Sequence, residues 1–354
     1  MRLLIAGGGS GGHVSPALAT AQAFKAERPD AEVLLVGRRG GPEERLVPEA
    51  GFPLRTIEVQ GFDRDNWARN ARLVVLPAAF RRGLEIVREF EPDVVVGVGG
   101  YVMAPALWGA RHTATPYVLQ VSEADGLANR LFRRRAAAAC VTFPQDVERF
   151  PTRHTVLTGY PLRPGFSART PEVPPRRLLV LGGSQGSRRI NEAVWGALDG
   201  LLERFGEVVH QTGRLGEERG QRMRRPGYRP FAFSTAMAEL LREADLVLCR
   251  AGVGTTAEVC AVGLPMLAVP GTFGGRHQEQ NAARLQRAGA AIHIADVDLT
   301  PVRLLREVDR LSPERLRAMA DASRGLGRPE AAQAIARILL QVARAVPPEG
   351  ARGA

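Results

Sequence analysis

Cysteine, lysine and long apolar runs are all scarce in this sequence, and each scarcity excludes something. The 354 residues include only three cysteines, Cys140, Cys249 and Cys260. They lie in apolar runs at spacings that fit neither a metal cluster nor a disulfide framework, so they read as reduced core residues of a cytosolic protein. No apolar run approaches the roughly 18 residues that a membrane span needs. The apolar start, Leu3 to Ala6, is too short for the hydrophobic region of a secretory signal. Any contact with a membrane is therefore expected at the protein surface. Lys25 is the sole lysine, so the formal charge of +11 is almost wholly arginine. That balance suits an anionic partner such as a phosphate-bearing ligand, anionic lipid or nucleic acid. A general bias toward arginine produces the same charge without any selected partner.

What the chain has in quantity is aliphatic strand followed by glycine. Leu3 to Ala6 reads as a first strand, with Gly7 to Gly12 as a loop and a helix from about Pro16 to Ala26. AEVLLVG, TIEVQGF, PDVVVGVGG, PYVLQVS and ACVTFP read as further strands separated by amphipathic helical segments. Near-continuous aliphatic strands alternating with helices imply an α/β fold whose parallel sheet is covered on both faces. Thr170 to Arg177, TPEVPPRR, has the proline-rich composition of a linker. RLLVLGGSQGS then restarts the pattern, which EVVHQTG, ADLVLC, LPMLAVP and AAIHIA complete as a second sheet. The length also favours two domains. They are expected at 1–162 and 163–327, with 328–354 as a closing helix, carrying Ile335, Leu339 and Val342 on one face, and a frayed tail.

Three loops carry the chemistry. In GGGSGGH, residues 7–13, Gly7, Gly9 and Gly12 fit the dinucleotide G-x-G-x-x-G spacing. A nicotinamide site also wants an acidic residue at the end of the second strand, and here Gly37, Arg38 and Arg39 stand there. That leaves an NADP-dependent oxidoreductase as a residual reading. His13 sits where the loop enters a helix. The positive end of the helix dipole disfavours an imidazolium, so a histidine there can stay neutral and take a proton from an attacking hydroxyl, or simply cap the helix. GGSQGS, residues 182–187, offers backbone amides and the Ser184 hydroxyl to a diphosphate. Arg163, in GYPLRP, is either a cation for a departing nucleoside diphosphate or a solvated arginine.

The third loop lies in the stretch from Cys249 to Asn281, which reads as a pocket for the diphosphate and sugar of a nucleotide-activated sugar. A strand ends at Cys249, Gly252 and Gly254 make a turn, and Thr255 and Thr256 open a helix. This order presents backbone N–H groups to an anion. Glu258, one turn on, can accept both hydroxyls of a ribose, and Gln278 and Asn281 can hold sugar hydroxyls. Two D-x-D triplets, Asp63 to Asp65 and Asp296 to Asp298, lie in polar loops and read as chance occurrences.

In this order along almost the whole chain, GGGSGGHVSPALA, VGVGGYVMAPAL, GLANR, GYPLR, LGGSQGS, CRAGVGTTAEVCAVGLPMLAVP and HQEQNA resemble the motifs of the MurG family. Members of that family are bacterial N-acetylglucosaminyltransferases that convert lipid I to lipid II in peptidoglycan synthesis. The resemblance implies the GT-B glycosyltransferase fold, two Rossmann-like domains facing across a cleft, with the terminal helix returning to the first. It implies an acceptor-binding, membrane-associating N-terminal domain and a C-terminal domain that binds UDP-N-acetylglucosamine. The acceptor would be the undecaprenyl-pyrophosphate-linked lipid I, and the location the cytoplasmic face of the bacterial plasma membrane, held peripherally. The reaction would be an inverting displacement by the C4 hydroxyl of the N-acetylmuramoyl group, with no metal, no cofactor and no nucleic-acid partner.

Position by position, Ser10, Gly11, Gly12 and His13 match the family's acceptor-side glycine loop. His13 is the candidate general base, and Ser10, Gly11 and Gly12 are also assigned to the donor. Gly100 and Tyr101 match the second acceptor-side glycine motif. On the donor side, Arg163 matches an arginine near the uridine diphosphate, Ser184 the donor-loop serine, and Ser234 a position whose backbone reads uracil. Val253, Gly254, Thr255, Thr256 and Glu258 match the donor loop whose glutamate holds the ribose, and Gln278 the glutamine on the donor sugar. One motif departs. The family usually carries His-Glu-Gln-Asn shortly before Gly-Leu-Ala-Asn-Arg, whereas this chain has LQVSEADGLANR, one residue shorter. Ser122, Glu123 and Asp125 are the available substitutes, with Glu123 taken as the acceptor contact. A GT-B enzyme for another lipid acceptor such as diacylglycerol, and a non-catalytic UDP-sugar-binding paralogue, therefore stay open.

A membrane-facing surface is expected where Trp67, Leu73, Val74, Val75 and Phe80 interleave with Arg64, Arg69, Arg72, Arg81 and Arg82. Alternatively, Leu76, Phe80, Leu84 and Val87 form the buried stripe of a helix starting near Pro77.

Overall fold

Parallel strands cannot be joined by tight hairpins, so each aliphatic strand of this chain has to be followed by a crossover. The computed structural model describes residues 1–9, 11–59, 76–122, 126–150, 152, 154–271 and 277–345. The chain divides into two compact units, Met1–Pro164 with Glu330–Ala354, and Gly165–Pro329.

In the first unit, β1 (Arg2–Gly7), β2 (Glu32–Arg38), β3 (Leu54–Ile57), β4 (Val94–Gly99), β5 (Tyr117–Val121), β6 (Ala138–Val141) and β7 (Thr155–Leu157) form one sheet in the order β3-β2-β1-β4-β5-β6-β7. Every pairing is parallel; Leu3 of β1, for example, stands opposite Val33 of β2 and Val94 of β4. One face is covered by α1 (Gly11–Glu27), α2 (Glu43–Glu49) and the C-terminal helix Ala331–Arg344, with Leu3, Ile5, Phe24, Val96, Ile335 and Leu339 in that core. The other is covered by α3 (Leu76–Phe90) and α4 (Met103–His112), over Leu4, Val36, Ile86, Leu107 and Leu119. A short α5 spans Leu127–Phe132. Along α3 the buried positions are Ala79, Gly83, Ile86 and Val87, and Phe80 stands edge-on to Trp108 with centroids 5.6 Å apart. Of the expected buried stripe only Val87 is buried, Leu76, Phe80 and Leu84 being half-buried, and of the expected membrane-facing residues Arg81 is exposed; residues 64–75 lie outside the described residues.

Helix α1 begins at Gly11, earlier than Pro16, which lies inside it. Proline has no N–H for the carbonyl four residues back. That carbonyl, Gly12 O, instead accepts the Tyr160 hydroxyl at 2.8 Å. β3 begins at Leu54, before the expected Thr56.

In the second unit, β8 (Arg177–Leu181), β9 (Glu207–Gln211), β10 (Tyr228–Phe231), β11 (Leu246–Arg250), β12 (Met266–Val269) and β13 (Ala291–His293) form a parallel sheet in the order β10-β9-β8-β11-β12-β13. It carries α6 (Arg188–Gly196), α7 (Val253–Val262), α8 (His277–Arg287), α9 (Pro301–Asp309) and α10 (Pro313–Leu326). Ser187, Thr300 and Ser312 cap α6, α9 and α10 by accepting the amides of Ile190, Arg303 and Arg315. Edge strands β7 and β10 have no counterpart in the sequence reading. β10 contains Pro230, which an edge strand tolerates because one side needs no donor.

The proline-rich segment read as a linker is not one: it lies within the second unit and is strapped to it. Buried Asp245 accepts the amides of Glu172, Arg176 and Arg177, each at 3.0 Å, and the Arg169 guanidinium at 2.7 Å. Asp245→Ala should lower the stability of the second unit by about 3 kcal/mol, since buried donors lose their acceptor. Urea unfolding followed by Trp195 fluorescence measures this, and a loss below about 1 kcal/mol contradicts the strap.

Candidate functional site

Strand order reverses between β1 and β4 in the first unit and between β8 and β11 in the second. In open parallel sheets such a reversal leaves a crevice outside the carboxyl ends of the strands, where ligands bind. The three loops of the sequence reading, and the Gly100–Tyr101 motif, all fall at these points. Gly8 and Gly9 follow β1, with α1 opening at Gly11; residues 100–101 follow β4, 182–187 follow β8, and Ala251 and Gly252 follow β11, with α7 opening at Val253.

At the first switch point the two turns touch through backbone. The Gly8 amide donates to Gly99 O at 3.4 Å. A Cβ on Gly100, whose φ is +77°, would overlap the Gly8 carbonyl, and one on Gly99, φ +115°, would lie 2.8 Å from His13 Nε2. Only glycine satisfies both the dihedrals and the space. His13 thus lies in the first turn of α1, half-buried, with its imidazole against the Gly99 backbone. Gly11 opens α1, Gly12 is exposed, and Tyr101 is 50% exposed beside the turn. Ser122 ends buried beyond β5, its Oγ without a hydrogen-bond partner among the described residues. Ser10, Glu123 and Asp125 lie outside the described residues. Arg163 is half-buried and belongs to the first unit.

At the second switch point α7 starts at Val253 behind Gly252, which offers no side-chain cap. The amides of Val253, Gly254 and Thr255 therefore have no intrahelical acceptor. The Thr256 hydroxyl turns inward, donating to Gly252 O at 3.0 Å, while Glu258 is half-buried one turn on. Gln278 accepts the Gly271 amide at 2.7 Å through Oε1. Asn281 does not face a sugar: it is buried and donates to Ala251 O at 3.1 Å, fastening the turn after β11. A cavity of about 520 Å³ is lined by Gly186, Ser187, Arg250, Gln278 and Asp296 among others. Arg250, unremarked in the sequence, donates to Asp296 at 2.5 Å and to Pro270 O at 3.0 Å. Its signal was an arginine at the carboxyl end of a strand at the switch point. Asp296, one of the D-x-D residues, is committed to that ion pair; Asp63 to Asp65 lie outside the described residues. Ser184 is exposed on its loop, and Ser234, after edge strand β10, accepts the Ala236 amide at 3.1 Å. Among the described residues no cluster of His, Cys, Asp or Glu is placed to hold a metal, and no helix is long and apolar enough to cross a membrane.

The 182–187 loop is clamped from below. Gly182 donates to Gln211 O, and Arg214 and Leu215 donate to the Ser184 and Gln185 carbonyls, each at 3.3 Å. Behind the clamp runs a buried relay. Trp195 Nε1 donates to Tyr228 Oη at 2.9 Å, which donates to His210 Nδ1 at 2.9 Å. His210 Nε2 donates to Asn191 Oδ1 at 3.1 Å, and Asn191 Nδ2 donates to Thr212 O at 2.9 Å. The Asn191 oxygen can only accept, which fixes the tautomer of His210. Burial pushes the His210 imidazole down to about 3 and the Tyr228 phenol up to about 12.

Residues 3–141 match the glycosyltransferase family 28 N-terminal domain and residues 177–337 the glycosyltransferase family 28 C-terminal domain. Fold and site together define a two-domain glycosyltransferase of the GT-B class. The chain is similar to the UDP-N-acetylglucosamine–N-acetylmuramyl-(pentapeptide) pyrophosphoryl-undecaprenol N-acetylglucosamine transferases of Desulforudis audaxviator, at 38% identity over 97% of this chain and 99% of that one, and Moorella thermoacetica, at 39% over 96% and 99%. Among solved structures it is similar to Acinetobacter baumannii MurG, with a TM-score of 0.79 and 27% identity over 96% of this chain and 99% of that one. The calicheamicin glycosyltransferase CalG4, at 0.69 and 19% over 98% and 99%, shares the fold. The chain belongs to the MurG family.

The relay carries a pH prediction. The ordinary imidazole value of 6.5 drops to about 3 in the folded state, so between these limits the unfolded chain binds the extra proton. Stability is therefore full above pH 6.5 and falls as pH drops through the window, by up to about 1.4 kcal/mol per unit from this group. His210→Gln should show a shallower decline between pH 6.5 and 4 in urea unfolding, and an unchanged slope contradicts the buried neutral histidine.

Proposed function

We infer that this protein transfers N-acetylglucosamine from UDP-N-acetylglucosamine to the C4 hydroxyl of the N-acetylmuramoyl group of lipid I, giving lipid II. The observation that carries this is kinship along nearly the whole chain with transferases named for that reaction. The glycine turns at both switch points agree with it. In this reading the first unit serves the acceptor and the second the donor. The amides at the start of α7 and the positive end of its dipole meet the diphosphate, with the Ser184 loop beside them. Glu258 accepts the ribose hydroxyls, and the backbone at Ser234 reads uracil. Gln278, with Oε1 committed to Gly271, has its amide N–H₂ for a sugar hydroxyl.

His13 accepts the proton of the acceptor hydroxyl as its oxygen bonds to C1 and the C1–O bond to the diphosphate breaks, inverting the anomeric centre. Arg163 neutralises the departing UDP. Gly100, Tyr101 and Glu123 flank the acceptor, whose lipid tail places the protein peripherally at the cytoplasmic face of the membrane. Arg81 and Arg82 are engaged with Glu85 and Glu89, which lowers the net charge that this helix offers to anionic lipid.

Purified protein given labelled UDP-N-acetylglucosamine with lipid I or with diacylglycerol tests the reading. Product on lipid I alone is expected. Product on diacylglycerol alone reassigns the acceptor, and product on neither favours a binding paralogue. His13→Ala should cut turnover about 10²–10⁴-fold with UDP affinity largely retained; undiminished turnover removes the assigned role.

A further inference from the structure

Glu43 opens α2 just after β2 and is only 2% exposed. A carboxylate so buried needs a reason, since burying an ionised group is costly unless it is hydrogen-bonded. Its Oε1 accepts the Gly9 amide. Its Oε2 is buried without a hydrogen-bond partner among the described residues. Three glycines leave the room that this side chain fills. A Cβ on Gly8 or Gly41 would overlap the carboxylate, and one on Gly37 would lie 2.8 Å from Glu43 Cβ. Gly37 lies at the end of β2, Gly41 in the connection after it and Gly8 in the turn after β1, so Glu43 is a wedge joining the two turns. Gly8 in turn bears on Gly100 and bonds Gly99, and Gly99 bears on the His13 ring.

We propose that Glu43 is a positioning residue: its buried carboxylate sets the turn after β1, and through the Gly99–Gly100 turn the placement of His13. The inference rests on the reading of His13 as the base. It also explains why an acidic residue follows β2 in a sheet that carries Arg38 and Arg39 where a ribose-binding acid would stand. The carboxylate points inward and is engaged by the protein's own loop. The negative charge itself opposes a pyrophosphate-linked acceptor at that loop, so what the site needs from Glu43 is an acceptor oxygen at the right reach.

Two variants separate reach from charge. Glu43→Gln keeps an acceptor oxygen at the same distance without the charge. Glu43→Asp keeps the charge one methylene short of Gly9. Turnover of UDP-N-acetylglucosamine onto lipid I should fall on the order of 10–100-fold for Glu43→Asp, with the KM for donor and the Kd for UDP within about twofold of the parent. Glu43→Gln should retain most of the parent turnover. Hydrogen exchange of the amides of residues 8–12 should accelerate in Glu43→Asp and stay near the parent rate in Glu43→Gln. Equal turnover and exchange in Glu43→Asp and the parent overturns the proposal. Equal losses in both variants assign the effect to charge and also overturn it. If the parent transfers no sugar to lipid I, the functional reading fails, and hydrogen exchange alone still decides whether Glu43 holds the loop.

Discussion

Close approach of one backbone to another at the carboxyl ends of parallel strands is the constraint on which the rest of this molecule depends. A parallel sheet sends every strand-to-helix turn to the same edge, and where strand order reverses, two turns stand side by side with a crevice outside them. For the turns to touch, a Cβ has to be absent. In the first unit Gly100 rests on the Gly8 carbonyl and Gly99 on His13; in the second, on the other side of β8 from the reversal, Gly186 rests on the Thr212 carbonyl after β9. The glycines are therefore packing residues: a methyl group at Gly100 or Gly186 would push the two turns apart, and one at Gly99 would displace the His13 ring.

Such turns bury little apolar surface of their own, and both units stabilise them with buried polar groups. The first unit places the Glu43 carboxylate beneath its loop. The second uses the relay from Trp195 to Thr212 and the clamp of Arg214 and Leu215 on the 182–187 loop. Asp245 does the same for the segment that leads into β8. Buried networks of this kind are strong only when every member is satisfied, because a stranded donor or charge in a low-dielectric interior costs more than the bond contributes. That makes them sensitive to a single substitution and ties the stability of each unit to the geometry of its loop.

Much of this was legible in the sequence, because the signals are local. An aliphatic run ending in glycine marks a buried parallel strand and its turn, and the loops after β1, β8 and β11 were readable that way. What was not legible depends on residues far apart in the chain. Pro16 looks like a helix start, and only the distant Tyr160 hydroxyl explains why α1 runs through it. TPEVPPRR has the composition of a linker, yet Asp245 binds it down. Edge strands β7 and β10 are short, and Pro230 disguises one of them. Asn281 shares a helix with Gln278 but faces the protein interior. Glu43 is an ordinary charged residue until tertiary structure buries it, and Arg250 and Asp296 until it pairs them.

In the proposed reaction, backbone amides at the turn after β11, and not side-chain cations alone, hold the diphosphate of the donor. A crystal structure with UDP-N-acetylglucosamine bound measures this directly. Diphosphate oxygens are expected about 2.7–3.2 Å from the amides of Val253 to Thr255, with the ribose hydroxyls on Glu258. A nucleotide seated elsewhere, or a diphosphate held only by arginine side chains while those amides bond to water or protein, would contradict it.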